Sequence, residues 1–317
     1  MIVFREPRDV PADFGPSVVA IGKFDGVHAG HRAVIRRLKE IAEATGTRSV
    51  AVTFDRNPLA VLRPDRCPEN VVTVERKLEL LSELDLDATL LLTFDAELAS
   101  RSAEDFVTGI LVDALQVSTV LVGRDFRFGR GGAGTPELLR RLGPEHGFSV
   151  EVVDDVFLDG SDRRVSSTWI RELLMDGDVA AAARVLDRHV DVRGEVVHGL
   201  KRGRELGFPT ANLSASVDSF VPADGVYAGW LVDHHTGLRH RAAISVGTNP
   251  TFDDVLERQV EAHVIGEQDL DLYGHDVTVE FVERLRGMVA FEGIEKLKDQ
   301  MAADVTDAER VLARVDG

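Results

Sequence analysis

Between Ser17 and about Leu186 the chain alternates short β-branched runs with amphipathic stretches. Runs at Val18–Ile21, Val50–Phe54, Thr89–Thr93, Thr119–Val122 and Val150–Val153 predict strands. Between the first two, Val34, Ile35, Leu38, Ile41 and Ala42 recur at helical spacing, so 31–44 reads as a helix, with Gly46 as its stop. Further helices are expected at Val74–Leu84, Ala103–Leu115, Pro136–Leu142 and Ile170–Leu186. Strand and helix in alternation predict a parallel sheet covered on both faces, with ligands at the carboxyl ends of its strands.

After His189 the rhythm changes. Val192–Val197, Val226–Val232, Arg241–Val246, Val260–Ile265 and Val277–Glu283 are strand-like, and Gly, Pro, Asn and Asp clusters separate them instead of helices. Helices are expected at Ile294–Ala302 and Asp307–Arg314. The fold class is therefore α/β: a doubly wound parallel-sheet domain over 1–186 and a small antiparallel β-barrel domain with terminal helices over 187–317.

Composition narrows the partners. The 317 residues carry 37 Lys+Arg against 54 Asp+Glu, a formal net charge of −17. That field repels polyphosphate backbones and anionic membranes, so any phosphate must be met by a few local basic groups. No nucleic acid and no membrane partner are expected; a homo-oligomer stays open. A single cysteine, Cys67, leaves no internal disulfide framework and suits a cytoplasmic location. The opening MIVFREPRDV lacks the apolar core and cleavage site of a signal peptide. No apolar run approaches the ~18 residues of a membrane span.

The first strand runs into the first helix through Gly22-Lys23-Phe24-Asp25-Gly26-Val27-His28-Ala29-Gly30-His31. Glycines there permit sharp turns and close backbone approach. A helix start offers unpaired N–H groups to a phosphate, and two imidazoles three positions apart project on one side of it, able to meet charge on phosphoryl oxygens. Capping or core histidines are the plainer alternative. Further along, Ser166, Ser167 and Thr168 are helix caps, and with Arg171 one turn on they form a second helix start suited to anions. Gly129, Gly131 and Gly134 match G-x-G-x-x-G, but the preceding strand ends near Val122, too far away for a dinucleotide-binding turn.

The second half has no G-x-x-x-x-G-K-[S/T], which excludes a Walker-type kinase. It does carry Gly199-Leu200-Lys201-Arg202-Gly203-Arg204-Glu205-Leu206-Gly207-Phe208-Pro209-Thr210-Ala211-Asn212, a glycine-rich basic loop of a kind that cradles polyphosphate. In extended chain Thr210 and Asn212 face one way, two oxygen donors suited to Mg²⁺; a plain turn at a barrel corner is the alternative. Glu261 and His263 share one face of a strand whose other face is Val260, Ala262 and Val264. Glu261 is placed either as a general base or as a solvent-facing edge residue.

His-Ala-Gly-His followed by Ser-Ser-Thr-x-x-Arg resembles the HxGH nucleotidyltransferases, whose domain is Rossmann-like. GKFDGVHAGH, the segment from Thr53 to Pro58, Val122–Gly129 and Arg164–Arg171 are similar to the adenylyltransferase module of bacterial bifunctional riboflavin kinase/FMN adenylyltransferases. GRELGFPTAN, Asp224–Tyr227, Ser245–Phe252, Val260–His263 and Asp271–Gly274 resemble riboflavin kinase, in that family's order. The resemblance implies phosphorylation of riboflavin by ATP to FMN, then adenylylation of FMN to FAD and pyrophosphate, with Mg²⁺ as cofactor. It implies that His28 and His31 stabilise the adenylyl-transfer transition state and that Gly22, Phe24, Gly30, Ser166, Ser167, Thr168 and Arg171 hold ATP. Asn57, Asp125 and Arg164 would lie near the flavin or nucleotide. On the kinase side it implies a six-stranded barrel, a base in Glu261, an ATP site of Gly199, Lys201, Gly207, Pro209, Thr210 and Asn212, and a metal held by the last pair. The chain departs from the family pattern at Asn57, Gly132, Met288 and Ala290. Adenylyl transfer to another acceptor, with a silent second half, and a flavin-binding module without turnover are the competing readings.

Overall fold

The computed structural model describes residues 1–198, 206–214, 219–250, 256–267 and 270–315. Its contacts divide the chain into two compact units, Met1–Ser166 and Ser167–Gly317.

The first unit is built on six parallel strands: β1 (Ile2–Phe4), β2 (Ser17–Ile21), β3 (Arg48–Phe54), β4 (Ala88–Leu92), β5 (Val117–Gly123) and β6 (Ser149–Val153), in the order β1-β4-β3-β2-β5-β6. Every residue of β2 and β4 is buried, as expected of parallel strands covered on both sides. Helices α1 (Ala29–Thr45), α2 (Pro58–Leu62), α3 (Val74–Ser82), α4 (Ala96–Ser100), α5 (Ala103–Phe106) and α6 (Pro136–His146) lie between them. α1 ends where expected, with Gly46 at φ +66° as its left-handed cap. The stretch expected as one helix over Ala103–Leu115 begins as α5 and continues over Val107–Ala114 in wider π-type turns. The winding reverses between β2 and β5, so their carboxyl ends flank the crevice where open α/β sheets bind ligands.

The second unit opens with α7 (Ser167–Asp176) and α8 (Val179–Leu186). The single helical stretch expected over Ile170–Leu186 is thus two helices, because Gly177 turns to φ +75° and Asp178 caps the second by accepting from Ala181 N. α7 packs within this unit: Ala223 N donates to Leu174 O, and Arg284 Nη1 to Asp176 O.

Strands β7 (Val190–Val197), β8 (Ala211–Leu213), β9 (Gly225–Asp233), β10 (Arg239–Pro250), β11 (Leu256–Val264) and β12 (Asp276–Arg286) close an antiparallel barrel in the order β10-β11-β8-β7-β12-β9. The two helices expected at the end of the chain are one, α9 (Ile294–Val315). It runs unbroken through Ala303–Thr306 because Asp304 turns inward, on the same stripe as Ala308 and Val311, and binds Arg286. Among the described residues no helix is long and apolar enough to cross a membrane.

Candidate active sites

The chain leaves β2 at Ile21 and enters α1 at Ala29 through a turn in which Phe24, Gly26 and Val27 all have positive φ, +48°, +84° and +40°. His28 is the cap of α1: its Nδ1 accepts from His31 N at 3.3 Å. A ring nitrogen that accepts carries no proton in the neutral imidazole, so the proton sits on Nε2 and makes that atom a donor. The His28 and His31 rings stack 3.6 Å apart at 15°, and Phe24 meets His31 edge-on at 5.2 Å. Gly30 makes this possible, since a Cβ there would stand 3.2 Å from two atoms of the His28 ring. Gly22 is tight as well, with its Cβ position 3.3 Å from the Phe24 ring. The capping role expected as the plainer alternative for His28 is thus present.

His31 Nδ1 is buried and has no hydrogen-bond partner among the described residues. Buried polar atoms are nearly always paired, so this ring nitrogen is an exception at the start of α1. Burial holds the His31 pKa well below 6.5, helped by the positive fields of His28, Lys23 and Lys77. An anion laid against this surface reverses those fields and favours protonation.

Beneath the turn, Lys23 O accepts from Thr53 Oγ1 at 3.1 Å and Asp25 Oδ1 accepts from Val71 N at 2.8 Å. Lys77 reaches the same carbonyl and was not singled out in the sequence; its only signal is a charge on the apolar stripe of α3, three and four positions before Leu80 and Leu81. At the end of β5, Arg164 Nη1 donates to Asp125 Oδ2 at 3.1 Å and to Asp155 Oδ1 at 3.2 Å, so two of the expected flavin-side residues meet. Asn57 is nearly buried and caps α2, its Oδ1 accepting from Leu59 N. Gly129–Gly134 forms a closed turn, with Phe128 and Gly134 bridged and α6 capped separately by Thr135, so the G-x-G-x-x-G match is no strand-to-helix phosphate loop. Ser166 closes the first unit; Ser167 and Thr168 open α7, with Thr168 exposed and Arg171 buried.

In the barrel, β8 pairs with β11 so that Asn212 stands opposite Glu261. Thr210 Oγ1 donates to Glu261 Oε2 at 3.3 Å and accepts from Asn212 Nδ2 at 3.2 Å. The Pro-Thr-Ala-Asn segment is therefore not only a corner: it brings three expected site residues into one chain of hydrogen bonds. His263 fixes the segment from behind, its Nδ1 donating to Pro209 O at 2.8 Å, while Phe208 packs on its ring. The alternation that set Glu261 and His263 on one face already carried that anchor. Gly207 takes φ +90°, with open space where a Cβ would go. Gly199 and Lys201 lie outside the described residues.

Residues 10–169 match the family model described as FAD synthetase, and residues 186–312 the one described as riboflavin kinase. A bifunctional riboflavin kinase/FMN adenylyltransferase of Escherichia coli K12 is 34% identical over 290 residues, 90% of each chain. The chain belongs to this bifunctional family. Its member from Pseudomonas fluorescens is 37% identical over 297 residues, 93% of each chain. A solved structure from Streptococcus pneumoniae, described as a macrolide-efflux protein, is 31% identical with a TM-score of 0.86, over 97% of this chain and 98% of that one. The family's two halves follow one another here in the order of the two units.

Proposed function

We propose that the His28–His31 turn and the Thr210–Glu261 pair each serve one of the family's two reactions. The chain phosphorylates riboflavin with ATP to give FMN, and adenylylates FMN with ATP to give FAD and pyrophosphate. The observation that carries the division of labour is the stacked pair His28/His31, with its buried unpartnered nitrogen, at the switch point of a parallel sheet.

For adenylyl transfer, the FMN phosphate attacks the α-phosphorus of ATP and pyrophosphate leaves. His28 Nε2–H and the His31 ring donate to phosphoryl oxygens as charge builds on them. Ser166, Ser167, Thr168 and Arg171 are proposed to hold the triphosphate on the strength of their motif, and Asp125 with Arg164 to face the flavin nucleotide.

For the kinase step, Glu261 accepts the proton of the riboflavin 5′-hydroxyl as that oxygen attacks the γ-phosphorus and ADP leaves. The Thr210 hydroxyl and the amide oxygen of Asn212 are hard donors that suit Mg²⁺, an ion that shares its shell with water and substrate phosphates. When bound, Mg²⁺ would neutralise phosphate charge. The acidic balance and the small-molecule substrates support a cytoplasmic enzyme without nucleic-acid partners.

The test is incubation with riboflavin, ATP and Mg²⁺, following both flavins. His28→Ala and His31→Ala stop FAD formation and spare FMN. Glu261→Gln stops FMN formation and spares FAD when FMN is supplied. One substitution that abolishes both activities in a folded protein overturns the assignment.

A further inference from the structure

Lys77 lies on the buried stripe of α3 and is 7% exposed. An ammonium in such a place is costly, and burial lowers its pKa from 10.5 to about 8 despite the nearby carboxylates of Asp25, Asp55 and Glu75. Packing alone would be served better there by an apolar side chain.

Its hydrogen bonds go to main-chain carbonyls. Nζ donates to Phe54 O at 2.6 Å and reaches Lys23 O at 3.5 Å. Phe54 closes β3, and Lys23 opens the turn that carries His28. That turn is strained: Phe24 and Val27 hold φ of +48° and +40°, and both are buried. A left-handed backbone is unfavourable for any L-residue and most of all for β-branched valine, so it persists only where its surroundings impose it. Thr53 Oγ1 on Lys23 O and Val71 N on Asp25 are two of those restraints, and the Lys77 ammonium is another.

We infer that Lys77 is a positioning residue for adenylyl transfer: by binding the carbonyls of Lys23 and Phe54 it ties the end of β3 to the strained turn and holds His28 and His31 where they meet the phosphates. The inference rests on the reading of those two histidines given above.

The experiment compares full-length wild-type protein with Lys77→Met, Lys77→Arg, Thr53→Val and His28→Ala, following FAD formation from FMN and FMN formation from riboflavin in each preparation, with the melting temperature alongside. Lys77→Met is expected to lower kcat for FAD formation by roughly tenfold or more with KM for ATP little changed, because misplacing a transition-state group costs rate before it costs binding. FMN formation stays at the wild-type rate, the melting temperature holds or rises, and Lys77→Arg recovers part of the loss. An unchanged kcat in Lys77→Met overturns the inference, as does a loss that merely follows a fall in melting temperature. If Lys77→Met does not fold, Thr53→Val addresses the same Lys23 carbonyl, and an unchanged kcat there overturns it too. Full FAD formation by His28→Ala sinks the underlying reading instead, whatever Lys77→Met does.

Discussion

Thr210 Oγ1 donates to Glu261 Oε2 at 3.3 Å, joining residues 51 positions apart through the pairing of β8 with β11. The same hydroxyl accepts from Asn212 Nδ2, so one oxygen orients both the proposed base and a proposed metal ligand. Glu261→Gln keeps the shape and removes the proton acceptor, and is expected to lower kcat for FMN formation by about 10²- to 10⁴-fold. Thr210→Val leaves the carboxylate in place but removes an oxygen donor. Its expected effect is a higher Mg²⁺ concentration for half-maximal rate, read by metal titration at fixed ATP. A Thr210→Val enzyme with an unchanged Mg²⁺ requirement would remove Thr210 from the metal site.

Gly30 touches the His28 ring so closely that an added methyl group would lie at 3.2 Å from Cε1 and Nδ1. The helix itself tolerates alanine better than glycine, so Gly30→Ala is expected to leave stability nearly unchanged or slightly higher. Displacing the ring breaks its stack on His31 and its cap on His31 N. FAD formation should fall by roughly tenfold or more while FMN formation continues. A rate within twofold of wild type, measured on both products, would show that the ring gives way without consequence.

His31 provides a pH test. Its pKa in the folded protein lies well below 6.5, first through burial and then through His28, Lys23 and Lys77. Above pH 6.5 both folded and unfolded chains hold it neutral, and it contributes nothing to pH dependence. As pH falls below 6.5 the unfolded chain takes up the proton first, and stability declines with acidity until the folded pKa is reached. His31→Phe removes that decline from the wild-type curve. Urea unfolding at pH 7 and pH 5 is the measurement, and an equal loss in both proteins over that range would contradict the buried-neutral assignment.

The elements readable in sequence are those whose burial is written in consecutive residues. β2 and β4, covered on both faces, read as largely apolar runs, and α1 shows its stripe and its Gly46 stop. β8 did not read as a strand because three residues after a proline show no period; its pairing with β7 and β11 makes it one. β1 is equally short and has an exposed face. The break expected in α9 fell where Asp304 is polar by type but buried by position. For the proposed site, spacing alone left His28, His31, Thr210, Asn212 and Glu261 open to plainer readings, and it was their joint order along the chain, matching the family pattern, that singled them out. The restraints on them, Lys77, Thr53 and His263, act through carbonyls from elsewhere in the chain, which spacing does not reveal.

Arg286 lies at the level of Glu261 in the barrel. Strand register runs from Arg286 to Val226, from Val226 to Ser245, from Ser245 to Glu261 and from Glu261 to Asn212, so Arg286 stands in the same circumferential row as the proposed base. Its guanidinium binds Asp304 through Nε at 2.8 Å and Nη2 at 2.7 Å, and Nη1 donates to Gly287 O at 3.0 Å. Asp304 is 5% exposed and also accepts from Gln300. Since the fork is met on both prongs, removing the acid alone leaves a largely buried cation without its partner, which typically costs about 3–5 kcal/mol. Arg286 keeps some contact with solvent, so Asp304→Ala is expected near the lower end, at about 3 kcal/mol by urea unfolding. The double variant Arg286→Met/Asp304→Leu removes both charges and should regain most of that stability. A double variant as unstable as Asp304→Ala would mean that the pair's charges do not compensate each other.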